Sequence, residues 1–215
     1  MSAAQEKVLT IKDMPDGKQR LIRAAIKLSA QGTASLANLG IRELGREANL
    51  NPNTFYRHFS NMEELALAAG KELTVGIMNG MQKVRTASAK HADATEGSAE
   101  FFLQEVDANP DIFRMGLREI HGGTPEIRRI LRGVLEDFAH LSVEQITAQN
   151  LVPGLKGEAL FDASLNITYY MFYRALDYLD NPTDRGKIKA DIIRFIRVQF
   201  VGMTVLDSQL PANKA

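Results

Sequence analysis

The sequence of 215 residues contains neither cysteine nor tryptophan. A chain without cysteine has no disulfide framework and no thiolate metal site, which favours an intracellular, cytoplasmic location. Long uninterrupted apolar runs are also absent, so we expect no membrane-spanning helix, and the polar first 18 residues contain no apolar export signal. Neither sign of charge dominates, because 26 basic and 26 acidic residues give a formal net charge of zero.

Residue patterns typical of enzyme active sites are missing as well. The four histidines, His58, His91, His121 and His140, lack the i, i+4 spacing of a helical metal pair. No glycine-rich phosphate loop follows a strand, and no G-x-S-x-G turn is present. We therefore expect no enzyme and no cofactor, and a helical enzyme is the least favoured of the functions considered below.

What the sequence does contain is a stretch typical of a helix-turn-helix, IRELGREANLNPNTFYRHF, which begins at Ile41. Its first eight residues place apolar side chains on one helical face and charged ones on the other. Asn49 tolerates the left-handed backbone that ends such a helix. Asn51 followed by Pro52 is the signature of a new helix start, so the second helix is predicted from Pro52 to about Phe59.

The second helix of this motif has polar side chains on its outer face. Phe55 and Phe59 are four residues apart and bury together, and no acid lies among the remaining side chains. Such a helix fits the major groove of DNA, where Asn and Thr contact bases and Arg binds guanine or phosphate. The alternative is an ordinary helical hairpin inside a helical core. The predicted DNA-binding residues are Arg42, Asn51, Asn53, Thr54, Tyr56, Arg57 and His58.

Charge is concentrated around the motif although the total is zero. Residues 17–60 contain seven basic and two acidic residues, which leaves five positive charges in this segment. A basic head on a neutral-to-acidic body suits a protein that binds a polyanion at one end, with an affinity that falls as salt rises. Chance asymmetry of a solvated surface is the alternative.

The rest of the chain has an apolar period near 3.6 and predicts an all-α fold of about nine helices. We expect a flexible arm over 1–15, a three-helix helix-turn-helix domain over 16–61, a helical ligand-binding and dimerisation domain over 62–207 and a tail over 208–215. Helix starts are predicted at Ser60, with Glu63 in the capping-box position, and after Asn109 and Thr124. A loop or change of register is expected between Thr86 and Gly97, with the helical pattern resuming at Ser98.

The segment GIRELGREANLNPNTFYRHFSNMEEL resembles the amino-terminal DNA-binding domain of the TetR family of bacterial transcriptional regulators, over roughly 17–73. The resemblance implies phosphate contacts for Tyr56 and His58, and a core position for Phe59. It implies base contacts for Asn51, Asn53 and Thr54. Two positions depart from the family pattern: Met62 stands where a lysine commonly contacts phosphate, and Gly40 where Ser or Thr usually caps the second helix.

For the body, the same resemblance implies a regulator, most simply a repressor, that binds a palindromic double-stranded DNA operator as a homodimer and responds to a hydrophobic small molecule. The alternatives are that the last two helices only complete a monomer core and that the aromatic residues are plain core. The expected dimer contacts are Tyr170, Arg174, Phe195 and Gln199. The expected pocket residues are Phe102, Val106, Phe113, Leu117, Leu131, Leu135, Tyr169 and Phe172.

A second segment, NPDIFRMGLREIHGGTPEIRRIL, is similar to the FabR and DesT branch of this family, which represses unsaturated fatty-acid synthesis. This similarity implies a long acyl thioester, acyl-CoA or acyl-ACP, as the effector. Arg114, Arg118 or Arg128 would then lie near its charged groups, whereas surface or intrahelical pairing is the alternative for each. The rival function is a repressor of an efflux or detoxification operon that senses a hydrophobic xenobiotic.

Overall fold

The computed structural model describes residues 15–31, 35–87 and 91–209. These ranges contain helices and short 3₁₀ turns but no strand, which confirms the predicted all-α class for this part of the chain. The predicted arm, apart from Pro15, and most of the predicted tail lie outside the described residues. The helices are α1 (Asp16–Gln31), α2 (Ile41–Glu47), α3 (Phe55–His58), α4 (Met62–Ala87), α5 (His91–Ala108), α6 (Pro110–Gly122), α7 (Pro125–Ala148), α8 (Gly157–Asp180) and α9 (Arg185–Gln209).

Side-chain caps set several of the helix starts. The Thr124 hydroxyl accepts the N–H of Ile127 at 3.3 Å ahead of Pro125, and α7 begins there as predicted. The start of α4 differs from the prediction by one residue, because Asn61 rather than Ser60 accepts the first free N–H, that of Glu64. Adjacent Ser and Asn are equally good caps, so the sequence alone does not distinguish them.

The Glu64 carboxylate completes this cap. It accepts the backbone N–H of Ser60 at 2.8 Å, and this hydrogen bond lowers the pKa of the Glu64 carboxyl. The predicted partner, Glu63, sits one position too early in the helix to do so. The consequence is a tightly fixed junction between the helix-turn-helix and the long helix α4.

Helix α5 begins earlier than the sequence indicated. It is already helical at His91, within the segment where a loop or change of register was expected, and residues 88–90 lie outside the described residues. The first buried residues of α5 are Ala94, Ser98 and Ala99. Small buried residues allow α5 to lie close to α4 but contribute little to the hydrophobic periodicity. The sequence therefore predicted that the helical pattern resumes only at Ser98.

We call α1 to α3 the head and α4 to α9 the body. In the body, α4 packs against α5 and α7, and α8 packs against α7 and α9, while α1 of the head packs against α6. Four phenylalanine rings meet at the centre of the body with centroid separations of 5.4 to 5.6 Å. These rings belong to Phe102, Phe113, Phe138 and Phe172. Among the helices described, none has the length and hydropathy required to cross a membrane.

Candidate nucleic-acid interface and ligand cavity

The turn of the helix-turn-helix is held by backbone geometry. Asn49 has the expected left-handed conformation, with φ of 52°, and the N–H of Leu50 bonds to the Gly45 carbonyl at 2.8 Å. A Cβ on Gly45 would lie 3.0 Å from the Leu50 carbonyl oxygen and 3.2 Å from the Pro52 backbone. Glycine at position 45 therefore allows α2 to touch the start of the next element directly.

The next element, residues 51–58, is named here the recognition segment. It consists of a 3₁₀ turn, Pro52–Thr54, followed by the short helix α3, so the predicted single helix from Pro52 to Phe59 is divided and ends at His58. The Asn51 side chain accepts the N–H of Asn53 at 2.9 Å, which confirms the predicted cap. This cap occupies the oxygen of the Asn51 amide and leaves its NH₂ group facing outward as a donor.

Two buried rings anchor the recognition segment. Phe55 and Phe59 are each 1% exposed, and their ring centroids lie 5.7 Å apart. Tyr56 contacts the edge of Phe55 at 5.4 Å yet is 65% exposed. The phenol ring is thus held against the core on one side while its hydroxyl faces solvent, which is the arrangement needed to reach a phosphate.

The other predicted DNA-binding side chains divide into two groups. Arg42, Asn51, Asn53 and Arg57 are exposed, and Thr54 and His58 are half-buried. A Cβ on Gly17 would lie 2.8 Å from His58 Nε2, so the His58 ring lies beneath the start of α1. His58 thus connects the recognition segment to α1, and the sequence did not predict this contact.

Part of the positive charge of the head serves the structure. Arg20 donates to the Asn49 carbonyl at 2.7 Å, and Lys27 binds Glu47 at 2.6 Å, so two basic residues of α1 hold the helix onto the turn. The Glu47 contact raises the pKa of Lys27. Arg23, Arg42, Arg46 and Arg57 remain exposed around the recognition segment. The positive charge left for a polyanion is therefore smaller than the sequence count.

Both departures from the family pattern have a structural counterpart. Gly40 precedes α2 with extended backbone and no side-chain cap, and its carbonyl accepts the Leu44 N–H. Met62 is half-buried and packs against the core. A phosphate at this end of α4 would be left to the backbone N–H groups of the helix start, which attract anions whatever side chain is present.

Residues 21–69 match the family model described as bacterial regulatory proteins, tetR family. This segment is similar to the amino-terminal domain of that family. The match begins in α1 and extends through the helix-turn-helix into α4, and it includes the whole recognition segment.

Solved structures of such regulators share the fold along nearly the whole chain. A TetR-family transcriptional regulator from Syntrophomonas wolfei has 13% identity and a TM-score of 0.73, covering 92% of this chain and 98% of that chain. The fatty acid degradation regulator FadR from Bacillus halodurans has 12% identity and a TM-score of 0.69, covering 88% and 97%. RolR in complex with resorcinol has 19% identity and a TM-score of 0.56, covering 90% and 94%.

The body contains a cavity of about 50 Å³ near the carboxyl end of α4. Its wall is formed by α4, α5, α7, the segment after α7, α8 and α9. Most lining side chains are apolar, among them Phe138, Ile167, Met171 and Phe200, but Arg85, Ser98 and Ser164 also line it. Burial lowers the pKa of Arg85 to about 10, so its guanidinium still carries a charge at neutral pH.

The pocket residues expected from the sequence lie elsewhere in the body. None of the eight lines this cavity in the described part of the chain. Phe102, Phe113 and Phe172 fill the interior with their own rings, and Val106 and Leu131 are buried in the same core. The other three, Leu117, Leu135 and Tyr169, border an open groove between α6, α7 and α8, which Phe172 also reaches. Their role in ligand binding stays a prediction.

The three arginines suggested for an acyl thioester are engaged away from the cavity. Arg114 forms an ion pair with Asp180 at 2.7 Å. Arg118 donates to the Ser29 hydroxyl at 2.9 Å, and Arg128 donates to the Gly123 carbonyl. All three contacts are within the chain, and those of Arg114 and Arg118 join α6 to other helices, so a role for these arginines in ligand binding stays a prediction. Within the described residues, no cluster of His, Asp and Glu is arranged to hold a metal.

Two exposed apolar stripes lie on the helices expected to dimerise. Tyr169 and Tyr173 on α8 are exposed, as are Val198, Val201, Val205 and Leu206 on α9. The predicted contacts are more enclosed: Tyr170 stacks on Phe195 at 3.9 Å, Arg174 binds Asp177 and Asp191, and Gln199 is half-buried. Those four residues therefore lie on the less exposed side of the α8 and α9 pair, whereas the valines lie on its outer surface.

Proposed function

We propose that this protein is a dimeric, ligand-responsive repressor that binds a palindromic operator. The observation that carries the proposal is the exposed recognition segment, whose polar side chains face solvent on a base of two buried rings. A helix held in this way can enter the major groove, while basic side chains around it bind phosphates.

Dimerisation is supported by the apolar stripes of α8 and α9. Val198, Val201 and Val205 recur at the spacing of one helical face, and isolated helices rarely expose such a stripe to water. A twofold axis through this surface would present two recognition segments to two half-sites, roughly 34 to 36 Å apart. A dimer doubles the phosphate contacts of a single head, which alone would bind weakly.

The operator provides the direct test of this function. Selection from random double-stranded DNA should return a sequence with inverted half-sites whose centres lie about one helical turn apart. Sedimentation of the complex should give two protein chains per duplex. A purified chain that fails to retain duplex DNA even at low ionic strength would refute the proposal.

The effector of this repressor is a hydrophobic small molecule. FadR from Bacillus halodurans, which shares the fold, is described as a fatty acid degradation regulator, and this agrees with the expected acyl thioester. The engaged arginines and the small cavity do not favour so large a ligand. Operator binding titrated with saturated and unsaturated acyl thioesters, and separately with hydrophobic cations, would distinguish the fatty-acid role from the efflux alternative.

A further inference from the structure

Arg85 is an unusual residue in the wall of the body cavity because its partners are all neutral. Its guanidinium donates to Gln145 Oε1 at 2.7 Å, to Ser98 Oγ at 3.3 Å and to Met81 Sδ at 3.8 Å. The group has five N–H donors, so these contacts leave two of them for another acceptor. Among the described side chains, no carboxylate forms an ion pair with it.

A buried cation without a counter-charge is costly, and proteins usually pair such groups. The half-buried Arg174 of the same body is paired in this way with Asp177 and Asp191. Arg85 is also half-buried but has no carboxylate partner among the described side chains, and its position in a cavity wall leaves it accessible to an anion from outside the chain.

Ser164 supplies an independent observation on another helix. Its side chain on α8 lines the same cavity and is only 2% exposed, and its hydroxyl has no hydrogen-bond partner. A buried hydroxyl left unsatisfied lowers stability, so a partner is expected in the cavity. A hydroxyl donates one hydrogen bond, which a carboxylate oxygen can accept.

The rest of the cavity defines the size and polarity of the occupant. A volume of about 50 Å³ corresponds to a few water molecules, so the occupant must be small or must enlarge the space slightly. Phe138, Ile167 and Met171 provide apolar walls, and methionine adapts to irregular shapes. One guanidinium balances one negative charge and offers parallel N–H groups to two oxygens.

We infer that this cavity binds a small monocarboxylate, whose carboxylate pairs with Arg85 and accepts a hydrogen bond from the Ser164 hydroxyl while its apolar body lies against Phe138, Ile167 and Met171. A phosphate dianion would need a second cation, and an organic cation would be repelled by the guanidinium. That the monocarboxylate is the effector rests on the proposed function, whereas its binding to the cavity does not depend on that function.

The test uses the full chain without DNA and isothermal titration calorimetry with three small acids, acetate, propionate and butyrate. Each acid is compared with its amide, which keeps the body but lacks the charge. We expect at least one acid to bind tenfold more tightly than its amide. Equal binding of acid and amide, or no binding of any acid up to about 10 mM, would overturn the inference.

Matched variants locate the site. Arg85→Gln should weaken binding of that acid at least tenfold, Arg85→Lys should restore part of it, and Ser164→Ala should weaken it severalfold. Arg129→Gln, which removes an exposed arginine from α7, should leave it unchanged. If Arg85→Gln does not fold, the Lys and Ala variants still decide the matter: acid binding unaffected by both would refute the site.

A separate measurement distinguishes failure of this inference from failure of the proposed function. Operator binding is measured without any acid, and it tests the repressor alone. Acid binding that depends on Arg85 supports the inference whether or not the chain retains DNA. A chain that binds its operator but no acid keeps the repressor function and loses this ligand class.

Discussion

The hydroxyl of Ser35 donates to the carboxylate of Glu119 at 2.7 Å, across the junction between head and body. The other oxygen of the same carboxylate accepts the Leu36 N–H at 2.7 Å and the Ser29 hydroxyl at 3.4 Å. Glu119 lies on α6 and is 1% exposed, whereas residues 35 and 36 precede the helix-turn-helix. A single buried carboxylate therefore joins the helix beneath the head to the chain that leads into the DNA-binding motif.

Replacing this carboxylate should loosen the junction. Glu119→Gln removes the charge and puts a donor where donors now point, so the free energy of unfolding should fall by about 1–3 kcal/mol. The midpoint of thermal unfolding, followed by circular dichroism, should fall by roughly 2–4 °C for each kcal/mol lost. The matched control is Glu144→Gln on the exposed side of α7. Equal midpoints for the two variants would show that Glu119 does not hold the junction.

Tyr56 and Asn53 should differ in how they affect operator binding. Tyr56→Phe keeps the contact with Phe55 but loses the hydroxyl, so affinity should fall for all duplexes alike. Asn53→Ala should cost about 1–3 kcal/mol at particular base pairs and relax the preference there. Fluorescence anisotropy with operator and single-base variants measures both. The control is Gln104→Ala on the exposed face of α5. Uniform loss from both changes would refute this division of roles.

A charge in the outer stripe of α9 should separate the proposed dimer. Val201 is 65% exposed in the protomer, so Val201→Asp should leave the fold intact while placing a carboxylate in an apolar interface. Analytical ultracentrifugation should show a monomer, and operator affinity should fall at least about tenfold, or 1.4 kcal/mol. Thr147→Asp, at an exposed position of α7, should change neither. A dimeric Val201→Asp protein would place the interface elsewhere.

The uncompensated charge at Arg85 should reduce the stability of the ligand-free protein. Arg85→Met should raise the free energy of unfolding by about 1 kcal/mol, because the buried charge disappears and the side chain keeps a similar length. Thermal unfolding without ligand measures this difference. A purely structural arginine would give the opposite sign, since its loss would leave Gln145 and Ser98 without a partner.

Binding of a monocarboxylate should depend on pH in a defined direction. Burial lowers the pKa of Arg85 to about 10, so its guanidinium loses the proton at a lower pH than an exposed arginine does. Acid affinity should be constant near neutral pH and should fall above about pH 10. The cost of burying the charge is complete below pH 10 and is released at higher pH. Affinity that is unchanged above pH 10 would indicate a different cationic partner.

The sequence predicted those parts of the fold that depend on local signals. The left-handed Asn49 and the starts of α6 and α7 agree with the structure, because each follows from caps, Pro or short-range periodicity. The division of the recognition segment was not predictable in this way. Gly45 lies close to the Pro52 backbone where the segment begins, and such a contact between two elements leaves no local signal in the sequence.

The cavity was harder to predict than the DNA-facing surface. Aromatic residues at helical spacing identify the inner faces of helices, but not whether space remains between them, and here the rings of Phe102, Phe113 and Phe172 occupy it. Arg85 was missed because a charged residue on a long helix usually faces water. One signal was present: Arg85 follows Met81 by four residues on the apolar stripe of α4.

The ring of Phe138 lines the cavity and also contacts the ring of Phe172. Phe172 in turn touches Phe113, which belongs to the same helix as Glu119. Close-packed aromatic rings are nearly incompressible, so a ligand that displaces Phe138 meets no empty space behind that ring. The displacement must then move whole helices, and one of them is α6, against which α1 of the head packs.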